Sequence, residues 1–217
     1  MPLVLFAHPF SSYCQKVLMA LWERDVAFDY RRLDDPAVAA EFGALWPLGR
    51  FPVLVDDGRV VGESTIIIEY LDRLHGDGAP LLPEDDAAAL EVRYLDRIFD
   101  TCVMAAVQSP VFEALRQDGT RLDEAMDKAR TALDRVYGWL DERLAGRTWA
   151  AGQRFTMADC AAAPALFYAD WVHPIADRFP TVQAYRARLL ARPSFARAVE
   201  EARPFRPHFP LGAPDRD

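Results

Sequence analysis

The patterning of the chain changes once, near residue 78, and that change constrains the fold more than any other feature of the sequence. Before it, apolar runs of strand length alternate with helical spacing. "PLVLFAH" is continuous rather than alternating, as expected of a short strand in a sheet covered on both faces. Val17, Leu18, Leu21 and Trp22 then recur at helical spacing over Ser12 to Glu23, and "VAFDYRRL" reads as a second strand. A short helix around Ala37 to Phe42 and the turn-rich "WPLGRFP" lead to "VLVDDG" and "RVV", two strands joined by Asp-Gly turn chemistry. Glu63 to Leu74 carries Ile67, Ile68, Leu71 and Leu74 on or near one helical face, with Gly76 and Gly78 to stop it.

"GDGAPLLPEDD" concentrates Gly, Pro and acidic residues, and after it strand patterns vanish. Leu95, Phe99, Cys102 and Ala106 form one helical stripe, and Leu122, Met126, Leu133, Val136, Leu140 and Leu144 another. In "FTMADCAAAPALFYADW" Thr156 stands three residues before Asp159, an acidic variant of the capping box, and Pro164 is expected to bend the helix that follows. Two shorter helices cover Thr181 to Leu190 and Ser194 to Ala202, and the Pro-rich end from Pro204 reads as irregular. The expected fold is therefore an α/β thioredoxin-like domain of order βαβαββα over residues 1–78, a linker over 79–86, and an all-α domain over 87–217.

With 217 residues and 51% hydrophobic content there is ample material for burial. The formal charge of -8, from 25 basic and 33 acidic residues, disfavours a surface that tracks nucleic-acid phosphates. No run of about 18 apolar residues and no signal-peptide pattern appears, so no membrane is expected and the chain is placed in the cytoplasm. Cys14, Cys102 and Cys160 are widely spaced and odd in number, giving neither a disulfide framework nor a metal-ligand pattern; no metal is expected.

The chemistry-bearing stretches are "FSSYCQKVLMAL", "WPLGRFPVLVDDG" and "GESTIIIEYL", with "FTMADCAAAPAL" in the helical half. In this order they resemble the cytosolic glutathione transferase superfamily, in particular its serine-using branches, theta- or zeta-like in their active-site motif. The resemblance implies a glutathione transferase that uses glutathione as co-substrate against a small hydrophobic electrophile. Where thioredoxin-like proteins carry C-x-x-C, this chain has Ser11-x-x-Cys14. A dithiol cycle cannot close, whereas a hydroxyl at a helix N-terminus can hydrogen-bond a bound thiolate beside the positive dipole end.

By that resemblance the catalytic hydroxyl falls on Ser11, with Ser12 as the alternative; either serine can equally be a helix cap. Tyr13 and His8 are further polar candidates, as donor and as base, and Cys14 reads as a packed residue of the helix base. Phe51-Pro52 lies where the family places a cis-proline, which would leave the backbone of Phe51 to pair with the peptide. Arg50 lies where it would meet the glycyl carboxylate, or it is a solvated surface arginine. Trp46 replaces the Asn common in the family's turn. Glu63 and Ser64, at a helix start, suit the ammonium and carboxylate of the γ-glutamyl end. Thr156 and Asp159 resemble the family's folding-related cap. The resemblance, together with apolar residues on more than one narrow face of Glu63 to Leu74, predicts a homodimer. Glutathione-dependent isomerisation or dehalogenation, or a binding or regulatory protein without turnover, remain the alternatives.

Overall fold

In a computed structural model, residues 3–75, 79–116 and 121–217 are described. β1 (Leu3–Ala7), α1 (Ser12–Glu23), β2 (Phe28–Arg32), α2 (Pro36–Leu45), β3 (Val53–Asp56), β4 (Arg59–Gly62) and α3 (Ser64–Leu74) follow the expected βαβαββα order. The four strands form one sheet in the order β2-β1-β3-β4, with β1 and β2 parallel and the remaining pairs antiparallel. β1 is covered on both faces. Leu3, Leu5 and Ala7 join the large core with α1 and α3, while Phe6 packs with Phe42 of α2 and Val53 on the other side. The β3-β4 turn uses Asp57 and Gly58, both at positive φ (46° and 82°), the conformation that its Asp-Gly chemistry predicts. Gly76 and Gly78, expected to stop α3, lie outside the described residues.

The second half is helical: α4 (Asp86–Ile98), a π-helical turn (Phe99–Met104), α5 (Ala105–Ala114), α6 (Leu122–Arg143), α7 (Met157–Val172), α8 (Pro180–Leu190) and α9 (Pro193–Ala202). The π turn corrects the first helical stripe. Leu95 and Phe99 are buried as expected, but Cys102 is exposed and Ala106 only half-buried; Val103 and Val107 face the core instead. A wider turn inserts one residue into the helical phase, so the α-helical spacing that fits up to Phe99 is one residue short beyond it. α7 includes Pro164 within one element, and the tail from Arg203 to His208 forms a 3₁₀ helix rather than an irregular end.

The acidic capping box of α7 is formed, with Thr156 N–H donating to Asp159 Oδ2 at 2.8 Å. Fully buried Asp159 also accepts from Ala150 N–H at 2.8 Å and from the Tyr185 hydroxyl at 2.6 Å. One carboxylate therefore ties the α7 start to the preceding loop and to α8. Among the described residues no helix is long and apolar enough to cross a membrane.

Candidate active site

Strand register assembles the site. Phe6 of β1 stands opposite Val53 of β3, which stands opposite Gly62 of β4. The segments that leave β1, enter β3 and leave β4 therefore emerge side by side at one end of the sheet. They carry Ser11 and Ser12, Phe51 and Pro52, and Glu63 and Ser64.

Ser11 is the N-cap of α1, and its Oγ accepts the Cys14 amide at 3.4 Å. A serine hydroxyl has two lone pairs and one proton, so capping uses an acceptor and leaves the O–H to donate elsewhere. The cap and the catalytic reading are thus compatible at this residue. Ser12 is the first helical residue and is largely buried. The preceding loop is clamped from both domains: Gln15 Nε2 donates to Pro9 O at 2.9 Å and to the Tyr168 hydroxyl at 3.1 Å, and that hydroxyl donates to Phe10 O at 3.1 Å. The Phe10 ring packs edge-on to Tyr168 and Phe209.

The His8 ring is already engaged. Its Nδ1 already accepts the Phe10 amide at 3.1 Å, its ring packs against Phe205, and burial holds its pKa below the ordinary value. Cys14 is fully buried and its sulfur accepts the His8 amide at 3.3 Å; burial pushes the thiol up to about 12, so it is no nucleophile at neutral pH.

The Phe51-Pro52 bond is cis. Arg50 is exposed, and the Phe51 ring, 41% exposed, borders the cleft described below. Trp46 lies over Gly62: a Cβ on that glycine would come within 2.8 Å of the indole. Glu63 is the N-cap position of α3 and holds φ at 66°, which side-chain-bearing residues rarely adopt. Its side chain makes no cap hydrogen bond, so the α3 start keeps amides without a side-chain cap, while Ser64 beside it is buried.

A cleft of about 350 Å³ opens between the domains next to Ser11 and Ser12. Phe10, Tyr13 and Phe51 line it from the first domain, and Met104, Gln108, Phe112 and Leu115 from the second. Phe99, one turn before the π-helical Met104, is core instead, and Tyr94 of α4 packs on Trp139.

Beneath the site lies a buried charge cluster that the sequence reading missed. Lys16 Nζ meets Asp96 Oδ1 at 2.6 Å and Asp100 Oδ2 at 2.8 Å, and donates to Thr65 Oγ1 at 2.9 Å. Thr65 donates to Asp96 Oδ2 at 2.8 Å, and Arg97 closes the cluster on both carboxylates. It ties α1 and α3 to α4 and the π turn, fixing the two helix starts relative to each other. The signal was present: a lysine inside the apolar stretch of α1, and acids one turn apart flanking Phe99.

Residues 5–81 match the family described as glutathione S-transferase, N-terminal domain, and residues 99–193 its C-terminal domain. A solved glutathione S-transferase from Methylobacterium radiotolerans, in complex with glutathione sulfonate, is 31% identical with a TM-score of 0.74, over 92% of this chain and 95% of that one. The chain belongs to the glutathione S-transferase superfamily. Among curated relatives of this transferase-family chain, a probable maleylacetoacetate isomerase of Vibrio cholerae is 29% identical over 94% of this chain and 98% of its own length. FtsZ-localized protein A of Caulobacter vibrioides is 30% identical, over 86% of each chain.

Proposed function

We propose that the protein is a glutathione S-transferase in which Ser11 stabilises the glutathione thiolate for attack on a small hydrophobic electrophile held in the inter-domain cleft. The observation that carries this reading is the register of Phe6, Val53 and Gly62, which brings the three motif segments to one end of the sheet beside that cleft. Residues 1–78 bind glutathione, 79–86 link, and 87–217 shape the electrophile pocket. The γ-glutamyl end sits at Glu63 and Ser64, where a carboxylate side chain and uncapped helix amides match an ammonium and a carboxylate. The peptide backbone runs beside Phe51 and Pro52, and Arg50 meets the glycyl carboxylate. The sulfur lies at the α1 start, where the Ser11 O–H and the positive end of the helix favour the anion. Ser12 is the alternative donor. No metal enters the chemistry proposed.

The test is retention on immobilised glutathione followed by turnover on a panel of electrophiles. Retention without turnover would instead favour a binding or regulatory role. The name of the Vibrio cholerae relative supports a second reading, glutathione-dependent isomerisation, in which the same thiolate adds to a double-bond carbon and is expelled. Glutathione is consumed in transfer and regained in isomerisation, so its balance separates the two. A homodimer is also proposed: Ile66 of α3 and Leu90 and Tyr94 of α4 are exposed, on helices joined by the Glu69–Arg93 ion pair at 2.8 Å. Light scattering should give twice the chain mass of 24.5 kDa at micromolar concentration.

A further inference from the structure

Tyr13 follows the two serines on the first turn of α1 and lines the same cleft. Its hydroxyl faces Gln108 of α5, with the oxygens 3.5 Å apart, at the outer limit of a hydrogen bond. This proton is loosely held and can turn to a ligand. The rest of the cleft is chiefly apolar, and among its described lining residues there is no Lys, Arg, Asp or Glu. A charged substrate drawn into such a wall would lose water without a counter-charge, so the cleft fits an uncharged molecule. Its other polar groups are accounted for or peripheral: Ser11 and Ser12 adjoin the sulfur position, the His8 acceptor nitrogen is occupied, and His208 is exposed.

We infer that Tyr13 binds the electrophile itself: its hydroxyl donates to the acceptor oxygen of an uncharged, conjugated substrate such as an α,β-unsaturated ketone, and stabilises the charge that develops there. This assignment rests on the transferase reading. In the addition step the thiolate pair forms the C–S bond at the β-carbon, and the C=C pair shifts to leave negative charge on the carbonyl oxygen, where Tyr13 donates. The enolate then takes a proton from water at its α-carbon, balancing the proton that the thiol lost on ionising. Burial, reinforced by Asp100, pushes Tyr13 up to about 12, so near neutral pH it is a donor and not a phenolate. Gln108 positions the phenol when no ligand is bound.

The experiment compares wild type, Tyr13→Phe and Gln108→Ala on an enone and on benzyl chloride, together with the thiol pKa of bound glutathione and the melting temperature. Benzyl chloride is substituted as C–S forms and C–Cl breaks, the chloride leaving with the bonding pair, and no oxygen gains charge. Tyr13→Phe should lower kcat on the enone about ten- to hundredfold, leave benzyl chloride within about twofold, and leave the thiol pKa unchanged. Gln108→Ala should change the enone rate less than Tyr13→Phe does. Equal losses on both substrates, a shifted thiol pKa, or no loss on either would overturn the assignment. Wild-type protein that binds glutathione yet turns over neither substrate overturns the transferase reading, and this assignment with it.

Discussion

Lys16 places its Nζ 2.6 Å from Asp96 Oδ1, with side-chain exposures of 1% and 0%, so this ion pair lies wholly out of water. Lys16→Met leaves two buried carboxylates against Arg97 alone, and unfolding by urea should show a loss of about 3 to 5 kcal/mol. The loss should depend on pH in a defined sense. Burial already holds Asp100 above the usual carboxylate range, against the pull of Lys16. A group raised in the folded state stabilises the fold when protonated, and that contribution is lost as pH rises through its folded pKa. Without Lys16 the group rises further, so the deficit should shrink on going from about pH 8 to about pH 5. A deficit equal at both would show that charge pairing is not its cause.

Ser11→Ala should raise the thiol pKa of bound glutathione, read by spectroscopic titration, while affinity stays near wild type. Loss of the cap should cost no more than about 1 kcal/mol, since the Oγ contact to Cys14 is long at 3.4 Å. Ser12→Ala should do less to the pKa; the opposite ranking would move the catalytic role to Ser12.

At Glu63 binding and stability should part company. Glu63→Gly removes a side chain from a backbone at φ 66°, so melting should hold or rise by the equivalent of about 1 kcal/mol, while glutathione affinity falls about ten- to hundredfold. Glu63→Ala and Ser64→Ala should also weaken binding, without the gain in stability, and the double variant most. Calorimetric affinities near wild type for all of these would place the γ-glutamyl group elsewhere.

Gly62→Ala puts a methyl within 2.8 Å of the half-buried Trp46 indole, which must shift to admit it. The expected cost is about 1 to 3 kcal/mol in chemical denaturation. Adding Trp46→Leu to Gly62→Ala should recover part of it; no recovery would mean the clash is not with the indole.

Asp159→Ala leaves the amides of Ala150 and Thr156 and the Tyr185 hydroxyl without their buried acceptor. A loss of about 3 kcal/mol or more is expected by thermal melting, and Asp159→Asn, which keeps one acceptor oxygen, should lose less. Equal losses would assign the effect to charge rather than to capping.

What could be read from the sequence was what local chemistry decides. Ser12 to Glu23 matched α1 because its apolar spacing and the capping serine agree, and Asp57-Gly58 announced the hairpin because few residues take its two positive φ values. The resemblance also placed the motif segments at element ends: Ser11 caps α1, the Phe51-Pro52 bond is cis, and Glu63-Ser64 opens α3. Contacts between distant segments were not legible. Lys16 in an apolar stretch signals a buried charge but does not say that its partners are Asp96 and Asp100, and Gln108 faces Tyr13 only because the domains pack as they do. The wider turn at Phe99–Met104 was invisible as well, because it holds no Gly or Pro to mark a break and only the burial of its residues shows the lost phase.

That turn absorbs a residue without changing what the next helix presents. A π turn takes one residue more than an α turn, so deleting one residue within 99–104 would restore plain α-helical pitch there and leave α5 in register, whereas deleting Ala106 inside α5 would turn the residues after it by about 100°. Val107 would then swing out of the core, and Gln108 would leave its place opposite Tyr13 while the serines and the sheet end stayed still. A codon lost one turn later would therefore redraw the wall that faces Tyr13, and the same loss within 99–104 would be silent.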